Sequence, residues 1–139
     1  MRAVGLDLGS KRIGVAVSND DGTVATPYEV LARAGDPTAD HRAIARIVSD
    51  VEAGIVVVGL PLSLDGSVGP AAELVSAEVE QIRSTLTTPV VTHDERLSTV
   101  TADRQLQSIG LNAAKRRKMV DQVAAAVILQ AWLDAGSPA

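Results

Sequence analysis

Along residues 1–18 the chain alternates between faces with a period of two. Val4, Leu6 and Leu8 fall on one face of a strand, while Ala3, Gly5 and Asp7 fall on the other. Gly9-Ser10-Lys11 supplies a tight reversal, and Ile13-Gly14-Val15-Ala16-Val17 reads as a second strand folding back on the first. Asn19-Asp20-Asp21-Gly22 is a further turn, and Thr23 to Leu31 reads as a third strand whose Pro27 suits an edge position. The period then lengthens. Ala39, Ala43, Ile44, Ile47, Val48 and Val51 recur at helical spacing over 38–52, with Asp36 ahead of Pro37 as the cap. Ile55-Val56-Val57-Val58-Gly59 is an unbroken apolar run, the mark of a strand covered on both faces and parallel to the first.

The Gly-, Pro- and Ser-rich stretch from Leu60 to Pro70 reads as a loop at the carboxyl end of that strand, where ligands of open α/β sheets tend to bind. A helix over 71–86 follows, with Leu74, Val75, Val79, Ile82 and Leu86 on one side, then a short fifth strand from Pro89 to Thr92 that ends at His93-Asp94-Glu95-Arg96. Two helices complete the chain: one capped by Ser98 or Thr99 and stopped near Gly110, the other running from near Asn112 to near Asp134. The pattern predicts one α/β domain over 1–139. Its five-stranded mixed sheet consists of a three-strand meander followed by two parallel strands, with helices on both faces.

Composition narrows the chemistry. Cysteine is absent, which removes disulfides, thiolate metal sites and cysteine nucleophiles. Aromatic residues are 1% of the chain, so its core is built from Val, Leu, Ile and Ala, and Tyr28 and Trp132 are too few for a base-stacking platform. No apolar run approaches membrane-spanning length and no signal-peptide pattern is seen, so a cytoplasmic protein without a membrane partner is expected.

Three acids stand out by position. Asp7 lies within the first strand on a face of small residues, and Glu95, or its neighbour Asp94, lies at the end of the fifth strand. Asp121 falls one turn before the stripe Ala124, Ala125, Ile128, Leu129 and Trp132, on the side of the last helix that buries. A buried carboxylate needs a partner, either a base such as Arg117 or a metal ion. If strands four and five extend the sheet beside strand one, the three acids can meet at one edge. Clustered carboxylates call for hard divalent cations, Mg²⁺ or Mn²⁺. Two such ions about 3.5–4 Å apart are suited to phosphodiester cleavage. With only His41 and His93 present, zinc is disfavoured.

The net charge of −4 looks wrong for a nucleic-acid binder until it is mapped. Residues 1–18 and 93–121 hold nine bases and five acids, a local +4 that leaves −8 for the remainder. The candidate nucleic-acid contacts are Lys11 and Arg12 at the hairpin tip, Arg96, and the run Lys115-Arg116-Arg117-Lys118. Each has a plainer reading: solvated charge for the hairpin tip and the helical run, and an internal ion pair for Arg96 beside two acids.

Four blocks, Gly5-Leu6-Asp7-Leu8-Gly9-Ser10-Lys11-Arg12-Ile13-Gly14-Val15-Ala16, Val58-Gly59-Leu60-Pro61 with Asp65-Gly66-Ser67, Asp94-Glu95-Arg96-Leu97-Ser98-Thr99, and Asp121-Gln122-Val123-Ala124-Ala125, resemble in the same order the signature blocks of the YqgF (RuvX) family of bacterial nucleases. Ser98, and Ser63 after Leu62, are mild departures from the family pattern, and neither touches the acids. The resemblance implies the RNase H-like fold of the RuvC resolvases, with Asp7, Glu95 and Asp121 as metal-binding catalytic acids. It also implies a nucleic-acid substrate: the 5′ end of precursor 16S ribosomal RNA, with branched DNA at a Holliday junction as the alternative. Resolving a symmetric junction would favour a homodimer, which trimming an RNA end does not require. Two other classes remain open. One is a non-catalytic ribosome assembly factor, against which the intact acids argue. The other is an actin-like ATPase or sugar kinase, whose first phosphate loop Asp7-Leu8-Gly9-Ser10 resembles but which clamps nucleotide between two such domains.

Overall fold

The sheet is ordered β3-β2-β1-β4-β5. In chain order its strands are β1 (Ala3–Leu8), β2 (Arg12–Ser18), β3 (Ala25–Ala32), β4 (Ile55–Leu60) and β5 (Val90–Asp94), and the helices are α1 (Pro37–Asp50), α2 (Pro70–Thr85) and α3 (Ala113–Asp134). The computed structural model describes residues 1–63, 65–95 and 113–136, without the side chains of 113–122. The helix expected to follow Ser98 lies outside the described residues.

β1, β2 and β3 pair antiparallel, whereas β4 pairs parallel to β1 and β5 parallel to β4, as the hydrophobic pattern predicts. β3 runs from Ala25 rather than Thr23. It is the edge strand, and its register against β2 slips between Val15 and Ala16, where Pro27 opposes Ala16 and Glu29 opposes Val15. The bulge accommodates a proline that has no ladder donor.

Alternation sorts the strands between two cores. Val4, Leu6, Ile13, Val15, Val56, Val58 and Val90 pack under α1 and α2 with Ile44, Ile47, Val75, Val79 and Ile82. Ala3, Ala16, Ile55 and Val57 pack under α3 with Ala125, Ile128, Leu129 and Trp132. The small residues on this second face let α3 approach closely. A Cβ on Gly5 would stand 2.7 Å from Leu129 Cβ and 2.9 Å from the Ala125 carbonyl.

α1 starts as predicted, with Asp36 accepting from the Thr38 amide and Pro37 in the first turn. Leu74 departs from expectation. It is 75% exposed, because the buried stripe of α2 is Ala72, Val75, Val79 and Ile82, and Leu74 stands off that stripe, one turn before Glu78. β5 also runs two residues further than expected, so His93 and Asp94 are strand residues paired with Gly59 and Leu60.

A polar cluster inside the α1/α2 layer was not foreseen. Asp40 and His41 are buried, at 7% and 3% exposure, on the same side of α1 as Ile44 and Ile47. His41 Nε2 lies 2.8 Å from Glu78 Oε2. The Arg33 guanidinium donates to both Glu78 oxygens at 2.6 and 2.9 Å. The sequence signal was available: two polar residues standing on an apolar helical stripe.

Candidate functional site

Asp7 occupies the penultimate position of β1, on the α3 face that also carries Ala3 and Gly5. Its register partner on β2 is Gly14. On the other flank, one position beyond the Leu6–Val58 pair, stands Gly59 of β4. Neither neighbour has a side chain of its own, and on the Gly59 side the space is taken by the Glu95 carboxylate and the end of Ile128. The turn that follows is closed by the Gly9 amide donating to the Arg12 carbonyl at 2.9 Å. Gly9 is required by close approach, since a Cβ there would lie 2.7 Å from that same oxygen.

Glu95 comes directly after β5 and is anchored by its amide, which donates to the Leu60 carbonyl at 3.2 Å. Its side chain turns back over the sheet. Oε2 lies 2.5 Å from where a Cβ of Gly59 would be, and Ile128 Cδ1 of α3 lies 2.6 Å from the same point. The hydrogen at Gly59 thus makes room for the Glu95 carboxylate beside the α3 core. This role of Gly59 was missed in the sequence, although a glycine closing an apolar strand run is the sign of a close approach.

The electrostatics tie the acids together. Burial, then repulsion from Asp7, then repulsion from Asp94 push the Glu95 carboxyl up to about 7. Such a group holds its proton near neutrality unless positive charge arrives. The oxygen donors of Asp7 and Glu95 therefore fit a hard divalent cation, which would relieve the repulsion that raises Glu95. Among the described residues no three His, Asp or Glu side chains form a metal-holding group by themselves. A third ligand would have to come from elsewhere.

Asp121 is helical in α3, one turn before Ala125, and its side chain is outside the described set. The course of the helix is fixed by its contacts. Leu133 lies near Gly22, which also neighbours the Met1 carbonyl, and Ala125 and Leu129 lie against Gly5, so α3 runs antiparallel to β1 and its course, traced back from Leu133, leads toward Asp7. Lys115, Arg116, Arg117 and Lys118 belong to the first two turns of α3, further along the same course. Lys11 and Arg12 are exposed and, with Asp7, Gly9, Ser10 and Gly14, line an open cleft of about 260 Å³. Arg96 lies outside the described residues. The structure therefore brings Glu95 within electrostatic reach of Asp7, and Asp7 in turn lines a cleft with Lys11 and Arg12.

Known proteins share this fold. The solved structure of Thermus thermophilus RuvC superposes with a TM-score of 0.58 at 12% identity, covering 98% of this chain and 97% of RuvC, which shows the RNase H-like fold. The same protein in complex with a Holliday junction substrate gives 0.57 at 13% identity, covering 99% and 97%. Sequence relatives are much nearer. A Mycobacterium sp. (strain KMS) protein is 45% identical over 96% of this chain and 79% of its own, and a Myxococcus xanthus protein is 46% identical over 99% and 91%. One from Desulforamulus reducens is 41% identical over 99% of each chain, and all three are described as "Putative pre-16S rRNA nuclease". The RuvX family, described as Holliday junction resolvase, matches residues 1–135. With residues 1–135 matched by the family model and relatives 41–46% identical over nearly the whole chain, this protein belongs to the RuvX family.

Proposed function

We propose that this chain is a divalent-metal-dependent endonuclease that cleaves phosphodiester bonds of precursor 16S ribosomal RNA in the cytoplasm, with Asp7, Glu95 and Asp121 as its catalytic acids. The observation that carries this reading is the Glu95 carboxyl, raised to about 7 by burial and by Asp7 and Asp94 in a space cleared by Gly59. An acid held in that state gains from a cation, whose charge offsets both the burial and the repulsion. Asp7 and Glu95 would hold Mg²⁺ or Mn²⁺, two ions in the full site, with Asp121 as the further ligand supplied by α3. Bound metal would activate water and stabilise charge on the scissile phosphate.

The chain's own residues do the rest. Asp7 and Glu95 stay fixed because one is in a central strand and the other is pinned through its amide to Leu60. Lys11 and Arg12 at the cleft mouth, Lys115 to Lys118 on α3, and Arg96 would neutralise phosphates flanking the cut, which a cluster of carboxylates would otherwise repel. The names of the relatives favour the RNA substrate. The family description favours a second reading, resolution of a four-way DNA junction, for which two copies of the chain would have to present two sites.

Offering the purified protein and Mg²⁺ a 5′-extended 16S precursor and a four-way junction in parallel separates these readings. Cleavage of the RNA with the junction left intact is the expected result. Symmetric nicking of the junction alone would transfer the assignment to DNA, and turnover of added ATP without strand cleavage would overturn both.

A further inference from the structure

The polar cluster under α1 and α2 reaches the candidate site through a single side chain. The Arg33 guanidinium donates to the Gly9 carbonyl from Nε at 3.0 Å and from Nη2 at 2.9 Å. The Arg33 amide donates to the Lys11 carbonyl at 2.9 Å. One residue thus grips two carbonyls of the β1–β2 turn, on either side of Ser10. That turn joins Asp7 to Arg12 and lines the cleft.

The grip has a fixed base. Glu78 of α2 accepts from both Nη1 and Nη2 of Arg33, and its Oε2 also meets His41 of α1. Asp40 of α1 lies 3.4 Å from Arg33 Nη1 and accepts from the Ala34 amide at 2.9 Å. Burial pushes Glu78 up, but the hydrogen bonds from Arg33 and His41 outweigh it, so its carboxyl lies below the ordinary value and stays ionised at neutral pH. The planar fork aims separate donors at both Glu78 oxygens and at the Gly9 carbonyl, whereas a lysine ammonium carries its three donors on one nitrogen and cannot reproduce that span.

We propose that Arg33 is a positioning residue for nucleic acid, holding the Gly9–Lys11 turn against Glu78 so that Lys11 and Arg12 meet the substrate backbone at a fixed distance from Asp7. The inference rests on the nuclease reading above. Its two consequences are separable, because one is read without substrate. Arg33→Lys keeps a cation beside Glu78 and His41 and is the main variant, and Arg33→Met removes every donor.

Amide hydrogen exchange and steady-state cleavage, both normalised to folded protein, test it. In Arg33→Lys, exchange at the Gly9 amide should accelerate about tenfold while the β4 amides keep their wild-type rates. KM for the RNA should rise about fivefold with kcat per folded molecule changed less than about twofold. Uniform acceleration of all amides would show a purely structural residue and overturn the proposal, as would an unchanged KM despite a loosened turn. Should the wild type cleave nothing, the nuclease reading fails while hydrogen exchange still decides whether Arg33 holds the turn. If Arg33→Met does not fold, Arg33→Lys carries the test alone.

Discussion

Among single residues, the carboxylates matter most, because they are kept close although they repel. Replacing Asp7 by Asn, Glu95 by Gln or Asp121 by Asn keeps shape and removes charge, so each should lower the cleavage rate by about 100-fold or more. Circular dichroism should still show a folded protein. If Asp121 is instead held by Arg117, Asp121→Asn should lower the melting temperature and leave the rate per folded molecule nearly unchanged. The pH dependence follows from Glu95, whose folded value of about 7 lies above its ordinary value of 4.5. Between those values the folded state keeps a proton that the unfolded chain gives up, so metal-free stability falls as pH rises through this window. Glu95→Gln should flatten that fall and melt above the wild type at pH 8 without metal. Conversely, Mg²⁺ should raise the melting temperature of the wild type more at pH 8 than at pH 6, where protons compete for the same carboxyl.

At the scale of elements, the site depends on how closely α3 lies against β1 and β4. Gly5→Ala would place a methyl 2.7 Å from Leu129 Cβ, with backbone and not a flexible tip as the other close contact. The expected cost is about 1–3 kcal/mol by chemical denaturation, with loss of activity as α3 is pushed off the sheet. Gly59→Ala should act differently, because its new methyl meets the Glu95 carboxylate and the end of Ile128. It should impair metal binding more than stability, as measured by Mn²⁺ titration against melting temperature.

These two glycines also mark what the sequence reveals. The strands, their order and the small-residue face under α3 were readable from period and composition, because each depends on neighbours along the chain. For the Arg33–Glu78–His41 cluster only Asp40 and His41 on the apolar stripe of α1 were readable; their partners were not, because Arg33 and Glu78 lie on separate elements and meet them only when α1 and α2 pack side by side. Leu74 misled for a related reason. Its apolar character suggests burial, yet the angle it takes on α2 is fixed by the Val75–Val79–Ile82 stripe. The pairing of Asp7 with Glu95 falls between these cases: both positions were legible, whereas the turn of Glu95 back over Gly59 depends on a missing Cβ on the neighbouring strand.

For the whole molecule, an overall charge of −4 is compatible with a polyanionic substrate because the bases gather near the acids in sequence and along α3. Neutralising Arg116 and Lys118 together should weaken binding to any sequence. It should also make the slope of log affinity against log salt shallower by about one unit per lost phosphate contact. An unchanged slope would return the α3 run to an ordinary solvated face and leave Lys11 and Arg12 as the contacts to test. No described helix is long and apolar enough to cross a membrane. Metal-dependent catalysis by Asp7 is decided by the single-turnover cleavage rate of a 5′-extended 16S precursor across a Mg²⁺ titration, for the wild type and for folded Asp7→Asn. Cleavage should be absent without Mg²⁺, rise with it in the wild type, and stay near background in Asp7→Asn at every concentration. Equal cleavage by the two proteins, or full cleavage by the wild type in excess chelator, would contradict it.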